Sequence, residues 1–126
     1  MIARPLIVAM IALCAATGPL RAQGGPVPFE NDLVRLSEIL GALHYLRAIC
    51  GANEGQKWRN EMRALVDAEA PAGTPRRARM ISGFNRGYQS FQHSHRSCTP
   101  AANLAIRRYL EEGAKISREV AARYTN

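Results

Sequence analysis

The sequence predicts an all-α protein: a small up-down four-helix bundle-like domain with one disulfide, preceded by a signal peptide. Three observations carry this expectation. Apolar residues recur at helical spacing through four consecutive segments beyond residue 28. Threonine followed by proline, a helix-start signal, occurs twice, at Thr74-Pro75 and Thr99-Pro100. Removal of an N-terminal leader leaves one pair of cysteines, and the predicted topology puts both at the same end of the bundle.

Residues 1–22 read as a cleavable secretory signal peptide. Arg4 supplies the positive start, an apolar run of eleven residues follows over 6–16, and Gly18 and Pro19 break it before the small residue Ala22. The run falls well short of the roughly 20 residues that span a bilayer. The alternatives are an uncleaved anchor or an apolar first helix, and Gly18, Pro19 and the Gly- and Pro-rich stretch 24–28 make a poor continuation for either. No twin arginine precedes the run, which points to general secretion. Cys14 follows Leu13, where a lipid-attachment site calls for a small residue, so Cys14 is read as part of the leader. Residues 23–28 form a flexible lead-in, and 29–126 form the helical domain.

Cleavage after Ala22 leaves 104 residues, a single domain with a modest core. It removes Arg4 and Arg21 and lowers the formal charge from +7 to +5. Such a surface favours anionic partners, here an acidic envelope protein, a lipid head group or a glycan. Nucleic acid is excluded as a natural partner of an exported chain with no aromatic-basic groove motif, and no transmembrane segment remains after cleavage. Cys50 and Cys98 survive as an even pair in an oxidising compartment, which predicts a disulfide. A reduced metal-binding or reactive pair is the alternative.

The first helix is expected from Phe29 or Asn31 to 49, with Leu33, Leu36, Ile39, Leu40, Leu43, Leu46 and Cys50 on one broad face and Gly51 as its stop. The second is expected over 53–70. Asn53 and Gln56 resemble a capping box, and Trp58, Met62 and Leu65 share a face flanked by Val66. The third starts at Thr74-Pro75, with Met80, Ile81, Phe84, Tyr88 and Phe91 as its apolar stripe. Gly83, Gly87, Ser90 and Ser94 form an adjacent stripe of small residues. Each interior glycine costs about 1 kcal/mol, so this stripe implies close approach of a neighbouring backbone or, less simply, of a ligand. The fourth starts at Thr99-Pro100, with Ile106, Tyr109, Leu110, Gly113, Ile116, Val120 and Tyr124 on one face. Arg107, Glu111, Lys115 and Glu119 alternate in sign on the other.

Three features stand out as candidate sites. Arg47 projects into the apolar face of the first helix, where it either pairs with Glu61 or Glu69 or binds an anionic ligand in a cleft. His93 and His95 lie close to Cys98. Residues two apart on a helix diverge by about 200°, so they are weak metal candidates, with His95 turned toward Phe91 and His93 outward. Arg76, Arg79, Arg86 and His93 form a basic outer stripe on the third helix, with Arg77 and Arg96 nearby; it is either a solvated face or a docking surface. No phosphate-cradling loop, nucleophile elbow or helical H-E-x-x-H occurs, and no cofactor is implied.

Residues 36–47 (LSEILGALHYLR) with Cys50-Gly51, Trp58-Arg59 with Met62, Phe84-Asn85 with Tyr88 and Phe91, Cys98-Thr99, Arg108-Tyr109 and Glu112-Gly113 resemble the signature of a family of small exported alphaproteobacterial proteins classed as a domain of unknown function. The resemblance spans about residues 30–124. It implies an envelope protein with paired cysteines and supplies no activity. It draws notice to His44, Arg47, Trp58, Arg59, Asn85 and Tyr88, which are costly choices for packing alone. The expected function is a non-catalytic binding or interaction protein of the periplasm, acting through the basic stripe (Arg79, Arg86) or a cleft near Arg47. A small-ligand or metal carrier built on His44, Arg47 and His95 is the alternative, and an envelope enzyme is the third reading.

Overall fold

The computed structural model describes residues 29–123 as four α-helices: α1 (Glu30–Ile49), α2 (Lys57–Glu69), α3 (Pro75–Ser94) and α4 (Pro100–Ala122). Among the described residues there is no strand. The expected signal peptide over 1–22, the lead-in over 23–28 and Tyr124 lie outside these residues. Both Thr-Pro starts form as their chemistry dictates. The Thr74 hydroxyl accepts from the Arg77 N–H at 3.3 Å, and the Thr99 hydroxyl accepts from the Ala102 N–H at 3.1 Å. Gly51 takes φ +83° directly after Cys50, a conformation that stops α1 at little steric cost.

α2 starts four residues later than expected, at Lys57. Gly55 adopts φ +57°, which breaks the helical path, and Glu54 is drawn back to Arg47. The Asn53–Gln56 capping box therefore does not form, and Gln56 stands at the N-cap without a side-chain bond.

α1 is the axis of the fold. It packs against each of the other three helices, while α2 and α4 stay apart from one another, as do the backbones of α3 and α4. Leu33, Leu36, Ile39, Leu40, Leu43 and Leu46 are buried as their spacing predicts. Burial also takes in Ser37, Gly41 and Ala42 on the far side of α1, as befits a helix covered from three directions. The Ser37 hydroxyl is satisfied locally, donating to the Leu33 carbonyl at 2.8 Å.

α1 and α3 run parallel, as up-down order requires. Glu30 meets Arg79, Val34 meets Gly83 and Glu38 meets Gly87, a constant offset of 49 residues. In a square bundle this pair would sit on a diagonal, yet here it is the most intimate pair. Glycines make that possible. A Cβ on Gly41 would strike the Phe84 carbonyl, and one on Gly87 would strike the Glu38 carbonyl, lying 2.9 Å from the Glu38 carbonyl carbon and 3.0 Å from the Ala42 nitrogen. A Cβ on Gly83 would stand 3.0 Å from the Val34 carbonyl oxygen. The glycine half of the small-residue stripe, Gly83 and Gly87, is thus a helix–helix seam, while Ser90 and Ser94 are exposed. Because α3 turns those glycines and Met80 toward α1, Ile81 is rolled to the outside and is 44% exposed, contrary to its place in the expected apolar stripe. Leu110 of α4 is likewise exposed rather than part of the core face.

Both ends of the bundle are fastened. At one end Cys50 and Cys98 are disulfide-bonded with Cα atoms 4.8 Å apart, joining the α1–α2 and α3–α4 turns. The Tyr45 hydroxyl donates to the His95 carbonyl beside them. At the other end Arg123 reaches Asp32 at 3.2 Å, and Glu30 is held by Arg79 and, at 3.9 Å, by Arg76. Midway, the Arg35 guanidinium grips the Glu112 carboxylate through two bonds of 2.7 and 3.0 Å and holds it below the ordinary carboxylate range. The alternating charges of α4 (Arg107, Glu111, Lys115, Glu119) face solvent.

Candidate functional site

The basic stripe of α3 is largely spent inside the fold. Arg79 pairs with Glu30, Arg86 reaches Glu38 at 2.9 Å, and Arg77 reaches Asp67 at 3.1 Å. Arg76 donates to the Glu69 carbonyl at 3.0 Å. The acidic residues of α1 and α2 thus compensate the charges that the isolated sequence of α3 displays. His93 and Arg96 stand exposed at the far end of the stripe.

A different cationic feature emerges between α2 and α3, where the two helices touch only lightly. A groove of about 260 Å³ opens there, lined by Arg59, Met62, Arg63 and Val66 of α2 and by Arg77, Ile81, Phe84 and Asn85 of α3. Met62 and Val66 are core residues whose edges form the floor with Phe84, and Ile81 supplies an exposed apolar wall. Arg59 and Arg63 stand one helical turn apart on the rim. Neither is in an ion pair with any described carboxylate. Like charges at this spacing repel along a helix, so the pair costs α2 stability unless an anion neutralises it.

His44 adjoins the groove from α1. Its ring lies 6.0 Å from Phe84 and 5.6 Å from Tyr88, centroid to centroid, and Tyr88 in turn meets Tyr45 edge-on at 5.4 Å. Four of the residues singled out in the sequence, His44, Arg59, Asn85 and Tyr88, are therefore gathered along one side of the molecule. Burial, and secondarily the Arg59 guanidinium, push the His44 pKa below its ordinary 6.5. The fold thus favours the neutral ring. Below pH 6.5 the unfolded chain takes up the proton first, so this contribution to stability falls as pH drops from that value toward the folded pKa. NMR titration of His44 is expected to show a midpoint below 6.5, and Arg59→Gln is expected to move it upward. A midpoint indifferent to Arg59 would remove the electrostatic link between ring and groove.

The remaining singled-out residues go elsewhere. Arg47 pairs with Glu54 of the α1–α2 turn, not with Glu61 or Glu69, because the turn folds back over the end of α1. Trp58 lies in the core, 9% exposed, with Lys57 over its ring at 5.0 Å. His95 ends α3 in extended conformation, its ring 5.2 Å from Phe91 and its Nδ1 2.8 Å from the Ser94 hydroxyl, while His93 points outward. Among the described residues no three His, Cys, Asp or Glu side chains come together so as to hold a metal ion. No described helix is long and apolar enough to cross a membrane.

Sequence reasoning missed Arg63 and misplaced Ile81. The signal for Arg63 was present in part: it repeats Arg59 four residues on, and Arg59 has no acidic residue at that spacing, whereas Asp67, four residues beyond Arg63, is taken by Arg77 in the fold.

The family described as "Protein of unknown function (DUF2385)" matches over residues 28–124. No curated protein and no solved structure gives a significant match.

Proposed function

The chain belongs to the DUF2385 family, a family of unknown function, and from that premise we propose that it is an exported, periplasmic, non-catalytic binding protein that captures an anionic component of the envelope in the α2–α3 groove. One observation carries the reading: among the described residues Arg59 and Arg63 have no carboxylate partner, beside Asn85 and an apolar floor, while the arginines of α3 are consumed by the fold. A groove of about 260 Å³ is smaller than the roughly 300–1,000 Å³ of small-molecule pockets and is open to solvent. That size favours docking of a partner's surface over enclosure of a metabolite. The leader-like N-terminus, the disulfide and the +5 charge after cleavage support a periplasmic station.

Titration with inorganic pyrophosphate tests acceptance of anions at this place. Amide shifts are expected to cluster on α2 around Arg59 and Arg63 and on α3 around Asn85. The His44 midpoint is expected to rise, since a bound anion offsets the Arg59 charge. The response should shrink with added salt and vanish in Arg59→Gln/Arg63→Gln. Shifts centred instead on Arg79 and Arg86 would return the docking face to the outer stripe and overturn the proposal.

A further inference from the structure

We propose that the occupant of the α2–α3 groove is an acidic amphipathic helix of a partner protein; this inference rests on the reading of the groove as an anion-accepting site and names the partner class.

The argument is one of matching periods. Each wall of the groove repeats at one helical turn. Arg59 and Arg63 stand four residues apart on α2, and Arg77, Ile81 and Asn85 stand four apart on α3. One turn of helix advances about 5.4 Å. A partner helix presents its own side chains at the same interval, so two Glu residues four apart on its flank can meet Arg59 and Arg63 together. Its apolar stripe then covers Ile81 and the part-buried Phe84, with Met62 and Val66 lining the groove beneath. Asn85 offers an amide donor and acceptor to a polar side chain at the margin. The walls are themselves two helices with few mutual contacts, so the space between them has the form in which an amphipathic helix beds its apolar face. A lipid surface presents head groups at no fixed interval and needs depth for its chains, which a shallow opening of this volume lacks. Charge complementarity is local: Arg77 is already neutralised by Asp67, so the demand for negative charge falls on the α2 rim, and the partner's acids belong on one flank only.

The test uses the mature disulfide-bonded protein and three probes. The first is a designed peptide of about 18 residues with leucines at i, i+3, i+4 and i+7 and glutamates four apart on one flank. The second is a scrambled peptide of the same composition, and the third is vesicles of phosphatidylglycerol. Peptide binding is expected by fluorescence anisotropy. It should weaken at least ~10-fold in Arg59→Glu/Arg63→Glu, be lost in Ile81→Asn, and stay within about twofold in Arg79→Gln, whose charge is internally paired. The scrambled peptide should not bind. Ile81→Asn separates the two levels of argument, because removal of an apolar wall should abolish peptide binding and leave the pyrophosphate response intact. Binding of vesicles without the peptide would overturn the helix as occupant and leave the anion site standing. Failure of pyrophosphate, vesicles and peptide alike would overturn both.

Discussion

Alanine at Gly41 or at Gly87 is expected to destabilise the protein by about 3 kcal/mol, the largest loss of any single-methyl addition in the described fold. Intrinsic helix propensity predicts the opposite sign, a gain of about 1 kcal/mol for each glycine replaced in a helix interior. Geometry decides between them. At both positions the added carbon meets backbone of the facing helix: the Phe84 carbonyl opposite Gly41 and the Glu38 carbonyl opposite Gly87. No rotamer change relieves a clash with a carbonyl, so α1 and α3 must separate along the seam. Separation exposes Met80 and loosens the parallel register that sets Arg79 on Glu30 and Arg86 on Glu38. The four helical glycines should rank by what their new methyl meets. Gly83→Ala should cost less, with 3.0 Å to the Val34 carbonyl oxygen. Gly113→Ala should be close to neutral, since its neighbour is the Ile39 side chain at 3.3 Å, which can shift. Urea midpoints of the four variants measure the order. Equal effects at Gly87 and Gly113 would refute the claim that backbone contact governs the seam.

The same seam shows how far the sequence could be read and where reading stopped. Four helices, both Thr-Pro starts and the disulfide follow from local chemistry, since caps and apolar period act within a few residues. Gly83 and Gly87 announced a close approach because glycine is expensive mid-helix. Gly41 carried the same signal and passed unnoticed within a run of aliphatic residues. The identity of the partner helix was not legible, because it depends on rotation: a turn of α3 that seats glycines on α1 also moves Ile81 out of the core. The pairing of the basic stripe was illegible for the same reason. Arg79 and Arg86 look available in a list of basic residues on one helix, and only the parallel register with α1 shows Glu30 and Glu38 opposite them. Arg59 differs for the complementary reason, since among the described residues no carboxylate comes to meet it.

Opening the Cys50–Cys98 bond, by reductant or by a Cys50→Ser/Cys98→Ser variant, is expected to remove about 4 kcal/mol of stability. The bond closes a loop of 48 positions that contains all of α2 and α3, and in the chain-entropy account a loop of that size restricts the unfolded state by about that amount. Replacing the sulfurs adds little, because Cys98 is exposed and Cys50 only half-buried, so few packing contacts depend on them. A domain of this size holds only about 5–15 kcal/mol in total, so the reduced form is left with a small margin. Two signatures identify the mechanism in a urea titration. The midpoint falls, and the slope rises, since an unlinked chain exposes more surface when it unfolds. Loss of the midpoint alone would place the effect in the folded state, and a change within about 1 kcal/mol would show that Tyr45 bonded to His95, with the α1–α3 seam, suffices to hold that end. The margin bears on the proposed function. α2 meets α3 only lightly and carries an unrelieved pair of arginines along the groove, so it is the helix with the least to hold it once the bond at its leading end is gone. Binding at the groove is accordingly expected to be lost on reduction at temperatures where α1, α3 and α4 still give a helical signal, which would tie the proposed site to an oxidising compartment.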